Sequence, residues 1–279
     1  MRTAPGWWKC LISMGPTMTP LLEAALNGAR PLEEHPGVPR TPDQIAAEAR
    51  AACDAGAGVL HLHVYDLNGI ETFDASSVAA TLQAVRWACP GVPISLTTSA
   101  AVEPDPARRF DLVSAWNHLP DLVTANQGEE EILELCGLLL GRGVGIEAGL
   151  LSCTDASAFV ASGIAGRCER VLVEPLDADV DEALAHGAAI ESILASARIT
   201  LEQIHHGDGI ASWAVSVRAL ARGHGMRTGL EDTTVLPDGR LAADNGQLTR
   251  VAAGLLQLPI SLVDQPSQKL APRHGIGLP

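Results

Sequence analysis

Two histidines stand two positions apart in the run VLHLHVYD, which covers residues 59–66. The run is short and apolar and contains β-branched residues, which predicts a buried strand. Side chains two positions apart point to the same side of a strand, so His61 and His63 share one face. Two imidazoles on one face can bind a metal ion, although two polar core residues would give the same pattern.

A catalytic metal site commonly combines two imidazoles with one carboxylate and leaves coordination positions open. The stretch RTGLED, residues 227–232, contains two candidate carboxylates, Glu231 and Asp232. Adjacent side chains point in different directions, so one can bind the metal while the other acts as a base. Arg227 lies on the same stretch, and its forked guanidinium can bind a substrate carboxylate.

The elements that must position these residues alternate along the chain as strand and helix. Strands are predicted at 10–13, 59–64, 93–98, 122–125, 143–149, 170–175, within 197–206, and at 225–232. Helices are predicted from Thr41 to Gly56 or Gly58, and at 75–88, 105–116, 129–143, 155–165, 179–195, 210–222 and 244–257. Eight strand–helix units predict a single (β/α)8 TIM-barrel domain over residues 1–279. A doubly wound open sheet is the alternative, but GPTMT is a poor phosphate loop.

In a TIM barrel the active site lies at the C-terminal ends of the strands. Polar residues recur at the predicted ends: Ser13, His61, His63, Asp66, Thr97, Thr98, Ser99, Thr124, Asn126, Glu147, Glu174, His205, His206, Asp208, Arg227, Glu231 and Asp232. Because the barrel closes, strand eight lies near strand two, which places Glu231 beside the histidine pair.

Several of these rim residues have more specific expected roles. Asp66 is expected to orient a metal-binding histidine by accepting its second N–H group. His205 and His206 are expected to be hydrogen-bonding neighbours rather than a second metal site. The stretch from Thr97 to Ser99 offers hydroxyls and backbone N–H groups that can bind a second anionic group of a substrate.

Composition and charge narrow the class of protein. A chain of 279 residues can bury the core of one large α/β domain. The net charge of −14 argues against nucleic acid as a partner. The chain has no apolar run of about 18 residues and no proper signal-peptide core, so neither a transmembrane helix nor secretion is expected. Its six cysteines contain no C-x-x-C motif, which predicts reduced thiols in a cytoplasmic protein.

The stretches HLHVYD, SLTTSA, VTAN followed by Gly128, and RTGLEDT resemble the β-keto acid cleavage enzymes, whose founding activity is 3-keto-5-aminohexanoate cleavage. The likeness continues in order over most of the chain. It implies a TIM barrel that assembles as an oligomer, commonly a tetramer. It also implies that a β-keto acid reacts with acetyl-CoA to give acetoacetate and a new CoA thioester.

The resemblance implies a role for each site residue. His61, His63 and Glu231 would bind Zn²⁺ or another divalent metal, which polarises the keto group. Asp232 would be the general base, with Arg227 and Thr97 orienting the substrate carboxylate and assisting the base. The expected substrate-binding residues are Thr98, Ser99, Thr124, Asn126 and Glu147.

The sequence also departs from the family pattern. Tyr65 replaces the arginine of H-x-H-x-R-D, an arginine that is expected to be structural. Relatives with amino-substituted substrates carry acids after the first and fifth strands. Here Gly149 stands at one such place and the predicted first strand leads into ISMGPT, so a cationic amino-keto acid is not expected. The alternatives are a CoA-independent metal-dependent aldolase or retro-Claisen lyase, which acetyl-CoA dependence would distinguish, and a non-catalytic metal-binding barrel.

Overall fold

The computed structural model describes residues 20–257, which form a closed barrel of parallel strands in chain order. The strands are β1 (Leu22–Ala25), β2 (Val59–Leu62), β3 (Ile94–Thr97), β4 (Leu122–Asn126), β5 (Gly145–Leu150), β6 (Arg170–Val173), β7 (Glu202–His205) and β8 (Gly225–Thr228). β1 pairs with both β2 and β8 and so closes the sheet. The predicted TIM barrel is confirmed.

A helix follows each strand within the described part of the chain. The helices are α1 (Pro42–Ala55), α2 (Ala75–Ala88), α3 (Pro106–Ser114), α4 (Ile132–Gly141), α5 (Cys153–Ser162), α6 (Val180–Ser196), α7 (Ala211–Ala221) and α8 (Asn245–Leu256), with a 3-10 turn at Ile164–Arg167. Thr41 caps the start of α1 and Gly56 ends it in the left-handed conformation, as predicted, and Gln44 completes a capping box with Thr41. The run of glutamates at 129–131 precedes α4 and does not form its first turn, which corrects the predicted start of that helix.

The position of the first strand was predicted wrongly. The apolar run at 10–13, with Ser13 at its end, lies outside the described residues, and β1 is formed by Leu22–Ala25 instead. This strand has only four residues and carries Glu23 in its middle, so its pattern is too short and too polar to be recognised. Glu23 pairs in register with Val59 of β2 and Arg227 of β8.

The two faces of the barrel differ in chemistry. The outward strand residues, such as Leu60, Ile94 and Val123, pack with the helices in one apolar core. Inside the barrel, Glu147 of β5 accepts a hydrogen bond from Ser95 of β3, a contact that two nonadjacent strands can make only across the interior.

The polar interior contains a second buried carboxylate besides Glu147. Arg170 donates to Glu147 at 3.1 Å, whereas neither oxygen of the fully buried Glu23 has a partner among the described residues. Burial and the neighbouring Glu147 raise the pKa of Glu23 well above its ordinary value. The position of Glu147 also differs from the prediction. It was expected at the end of its strand, but it lies in the middle of β5, which continues to Leu150.

The described cysteines, Cys53, Cys89, Cys136, Cys153 and Cys168, are all free thiols. Burial raises the pKa of several of them, including Cys136 to about 11, so that these thiols stay protonated. Between residues 20 and 257 no helix combines the length and apolarity needed to cross a bilayer.

An ion cluster around the buried Glu191 joins α6 to α7 and to the start of β8. Glu191 of α6 accepts hydrogen bonds from Arg218 and Arg222, each at 2.6 Å, and lies 3.3 Å from His224. Burial alone would raise the pKa of Glu191, but the hydrogen bonds from Arg222 and Arg218 outweigh it and lower the pKa to about 2.

Replacing Glu191 with glutamine is expected to destabilise the fold at neutral pH by about 1 kcal/mol, because it removes the carboxylate that Arg218 and Arg222 share, while solvent around the half-exposed Arg222 screens part of the attraction. Glu191 has a lower pKa in the folded state than in the unfolded state, about 4.3. Its contribution to stability is therefore complete above pH of about 4.3 and is lost as the pH falls toward 2. Urea unfolding of both proteins should show the difference shrinking with acidification, and a difference that grows would contradict this.

Candidate active site

Barrel closure brings the two histidines of β2 together with a carboxylate that follows β8. His61 Nε2 lies 3.5 Å from Glu231 Oε1, and His63 Nε2 lies 3.7 Å from Glu231 Oε2. The three possible ligand atoms all lie within 4.8 Å of one another. The sequence-predicted metal ligands thus converge on one point at the C-terminal end of the barrel.

The second nitrogen of each imidazole is already engaged, which leaves both Nε2 atoms facing Glu231. His61 Nδ1 lies 3.2 Å from the Thr124 hydroxyl, and His63 Nδ1 bonds the carboxylate of Glu71. Such contacts fix the orientation of metal-binding histidines. The expected role of Asp66 was wrong, because Asp66 instead accepts backbone N–H groups in its own turn.

The residues present fit a divalent metal ion. Glu231 Oε2 is buried and has no hydrogen-bond partner among the described residues, so it is available as a ligand. Burial lowers the pKa of His61 well below its ordinary value, and a neutral imidazole is the form that binds metals. Two imidazoles and one carboxylate with open positions are the donor set of many catalytic metal sites.

Two glycines allow the backbone to place Glu231. Gly229 has φ +158°, and a Cβ there would lie 1.8 Å from the carbonyl oxygen of Ala25, to which Glu231 N donates at 3.2 Å. Gly28 has φ +56°, and its Cβ would lie 2.4 Å from Cγ of Glu231. Tyr65 donates its hydroxyl hydrogen to the carbonyl of Gly28 and so holds this segment in place.

Replacing Gly229 with alanine is expected to destabilise the protein by more than about 2 kcal/mol and to displace Glu231, because the new methyl group meets backbone. The matched control is Gly239→Ala, where φ is +83° but no atom lies within 4 Å, so only a backbone cost of about 1 kcal/mol is expected. Urea unfolding and metal titration measure both effects. Equal losses in the two variants would refute the close-approach argument.

Arg227 and Asp232 form a buried ion pair beside Glu231. Arg227 Nη2 donates to Asp232 Oδ1 at 2.7 Å and to Glu231 Oε1 at 3.0 Å. Asp232 Oδ2 is buried without a partner among the described residues. Burial raises the pKa of Asp232 above its ordinary value although Arg227 opposes this, and a higher pKa makes the carboxylate a stronger base.

The remaining predicted residues lie along β3, β4 and β5. Thr97 ends β3, and its hydroxyl accepts from Ser99 N at 3.2 Å. The Thr98 hydroxyl donates to the carbonyl of Thr124 at 2.7 Å, and Asn126 donates to Glu129 at 3.0 Å. In the described chain, no hydrogen bond joins Thr97 to Arg227 or Asp232.

Three further rim residues contact this site without having been assigned to it. His206 lies between Glu174 and Asp232, and Arg30 donates to the carbonyl of Glu231 at 2.7 Å. Glu174 and His206 were recognisable from the sequence only as polar residues at strand ends. Arg30 follows the true β1 and was missed because the first strand was placed elsewhere. His205 stacks on His224 at 4.9 Å outside the barrel, so it does not contribute to the site.

Comparisons with known sequences show which enzymes this chain is similar to. The sequence profile of the beta-keto acid cleavage enzyme family matches residues 20–162 and 177–262. The chain is 27% identical over 246 residues to a 3-keto-5-aminohexanoate cleavage enzyme of Fusobacterium nucleatum subsp. nucleatum, covering 82% of this chain and 88% of that relative. It is 36% identical over 115 residues to the enzyme of the same name from Acetoanaerobium sticklandii, which covers 40% of this chain and 42% of that one.

A solved structure has the same fold. The ternary complex of ObcA with C4-CoA adduct and oxalate superposes with a TM-score of 0.65 at 16% identity, covering 79% of this chain. This chain spans 64% of the ObcA chain, less than two thirds of its length. Such low identity shows the fold alone, whereas the profile match extends over most of the sequence. The chain therefore belongs to the beta-keto acid cleavage enzyme family.

Proposed function

We propose that this protein cleaves a β-keto acid with acetyl-CoA as the second substrate and a divalent metal, zinc, at its active site. Acetoacetate and the CoA thioester of the remaining acyl group are the products. The observation that carries this proposal is the convergence of His61, His63 and Glu231 beside Asp232, whose Oδ2 is buried and unpartnered in the described chain.

The comparisons support the same reaction. The relative from Fusobacterium nucleatum is named for cleaving 3-keto-5-aminohexanoate, which is a β-keto acid. ObcA has been solved with a C4-CoA adduct and, separately, with oxaloacetate, so the related barrel binds CoA derivatives and small keto acids.

His61, His63 and Glu231 would hold the metal. When bound there, the metal supplies Lewis-acid polarisation of the substrate keto group, which stabilises the negative charge that develops on oxygen. The buried imidazole of His61 is neutral, so it contributes a lone pair and adds no charge that would repel a cation.

Asp232 would remove the proton from C2 of the β-keto acid, the carbon between the keto and carboxylate groups. Arg227 holds Oδ1 at 2.7 Å, while Oδ2 has no competing donor and can accept the proton. The deprotonated C2 would then bond to the acetyl carbon of acetyl-CoA, and the acetyl C–S bond would break to release CoA thiolate. The thiolate would add to the original keto carbon, the bond from that carbon to C2 would break, and C2 would recover the proton held by Asp232.

The substrate side of the rim carries charges of both signs. Arg30 follows β1, and Glu174 follows β6 with Oε1 only 2.8 Å from the place where a Cβ at Gly149 would lie. The Glu174 carboxylate thus lies next to Gly149, which the structure places inside β5 and not after it. A substrate panel must therefore include β-keto acids with neutral, anionic and amino-substituted side chains.

The test is an assay of the zinc-loaded protein with this panel, with and without acetyl-CoA, followed by NMR and mass spectrometry. Acetoacetate and one new acyl-CoA are expected in equal amounts, and only when acetyl-CoA is present. Cleavage that proceeds equally well without acetyl-CoA would replace the proposal by a CoA-independent retro-Claisen lyase. No turnover of any member by metal-loaded protein would overturn it.

A further inference from the structure

His206 lies between two buried carboxylates at the ends of three consecutive strands. Its Nε2 is 3.2 Å from Glu174 Oε2, and its Nδ1 is 3.3 Å from Asp232 Oδ1. Glu174 follows β6, His206 follows β7 and Asp232 follows β8, so the three form a continuous row along the rim. The imidazole is 2% exposed, and both carboxylates are nearly as buried.

The row ends on one particular oxygen of Asp232. Arg227 Nη2 donates to Oδ1 at 2.7 Å and lies 3.5 Å from His206 Nδ1, because both groups approach the same atom. Because Arg227 and His206 both contact this oxygen, the carboxylate group of Asp232 is restrained against rotation about its Cβ–Cγ bond. Oδ2 is buried and remains without a partner among the described residues.

We propose that His206, supported by Glu174, is a positioning residue that presents Asp232 Oδ2 to the substrate. The inference rests on the proposed function of Asp232 as the general base. Nδ1 approaches the same Asp232 oxygen that Arg227 holds, and Nε2 approaches Glu174, so the imidazole is fixed between the two carboxylates. Removing the contact at Nδ1 lets the Asp232 carboxylate rotate. Oδ2 is then no longer placed to accept the proton from C2 of the substrate.

The surrounding backbone makes room for this arrangement. A Cβ at Gly149 would lie 2.8 Å from Glu174 Oε1 and 2.4 Å from Asn126 Oδ1, so a larger residue would displace the ends of these two side chains. Glycine inside a strand lowers stability and indicates close approach of another group. Burying a histidine and a carboxylate here also costs free energy that apolar residues would avoid, which favours a role at the site over packing alone.

Two variants separate the two ends of the imidazole. The amide nitrogen of asparagine can take the position of Nδ1, so His206→Asn keeps a donor to Asp232 and loses the contact with Glu174. The amide nitrogen of glutamine can take the position of Nε2, so His206→Gln keeps the contact with Glu174 and loses the one with Asp232. We expect kcat to fall less than about 10-fold in the first variant and about 100-fold in the second, with KM within about twofold in both.

The controls exclude a general loss of structure. His205→Asn changes the neighbouring histidine, which faces the outside of the barrel and bonds Gln203, so its kcat per folded protein should equal that of the wild type. Zinc content and unfolding temperature should agree between the two His206 variants. Equal kcat in both, or an effect confined to KM or to unfolding temperature, would overturn the positioning role.

Crystal structures of the two variants give a readout that needs no turnover. Asp232 should keep Oδ1 on Arg227 in His206→Asn and should be rotated in His206→Gln. An unrotated Asp232 in His206→Gln contradicts the inference even if the protein is active. A wild type that turns over no β-keto acid would instead refute the proposed function, while the structures would still decide whether His206 positions Asp232.

Discussion

Wild-type protein reconstituted with zinc is expected to bind about one metal ion per chain, and Glu231→Ala and His61→Ala to bind almost none. Either change leaves only two of the three converging ligand atoms, and Glu231 supplies the only negative charge among them. Inductively coupled plasma mass spectrometry after dialysis measures the stoichiometry, and isothermal titration gives the affinity. Both variants should also lose the cleavage activity.

The matched control is Glu34→Ala, which removes a carboxylate from the same end of the barrel. Glu34 pairs with Arg30 at the surface and does not approach the histidines, so its replacement should leave metal content unchanged. Glu23, His61 and Glu147 also bring possible ligand atoms within 4.8 Å of one another, deeper in the barrel. Metal retained by Glu231→Ala but lost from Glu147→Gln would move the site there and contradict the proposed centre.

Asp232→Asn is expected to lower kcat by about 1,000-fold while metal content and unfolding temperature stay close to those of the wild type. The amide has the size of the carboxylate but cannot accept a proton from the substrate. Because Asp232 does not belong to the three metal ligands, the loss should appear in kcat rather than in metal binding. Steady-state kinetics with saturating acetyl-CoA measures it.

The control for Asp232 is Asp238→Asn, a surface aspartate that pairs with Arg240 in the turn after β8. It should retain wild-type kcat. An Asp232→Asn protein that keeps more than about a tenth of the wild-type kcat would exclude general-base catalysis by this residue. One that loses its metal as well would show that Asp232 acts through the metal site.

Periodicity was sufficient to predict most of the barrel, but it failed at β1. The strand around His61 alternates clearly, and the helix after Thr41 has both of its end signals, so each could be located from local sequence. Leu22–Ala25 is four residues long, and the residues near its inward Glu23, such as Arg227 and Glu147, lie far away in sequence. A strand this short, with a buried acid in its middle, carries no local signal.

The site was predictable in its ligands but not in the residues around them. If the sheet is assumed to close into a barrel, the H-x-H pair and the carboxylates after β8 are both predicted at the same end of that barrel. The hydrogen bond that the Glu71 carboxylate accepts from His63 depends on a turn that returns the chain, as shown by the bridge between Tyr65 and Glu71. Similarly, His206 points inward and His205 outward because of the register of β7, which two consecutive histidines cannot reveal.

The closing of the sheet by β1, which pairs with both β2 and β8, has a consequence for how the chain folds. His63 and Glu231 are separated by more than half of the sequence, so a metal ion that both of them bind would select only molecules in which β8 has joined β1. By mass action, each tenfold rise in free metal above the dissociation constant stabilises this closed state by about 1.4 kcal/mol. A nascent chain without β8 has only the histidine pair to offer. The supply of metal in the cell would therefore influence the yield of closed barrels as well as the rate of the reaction.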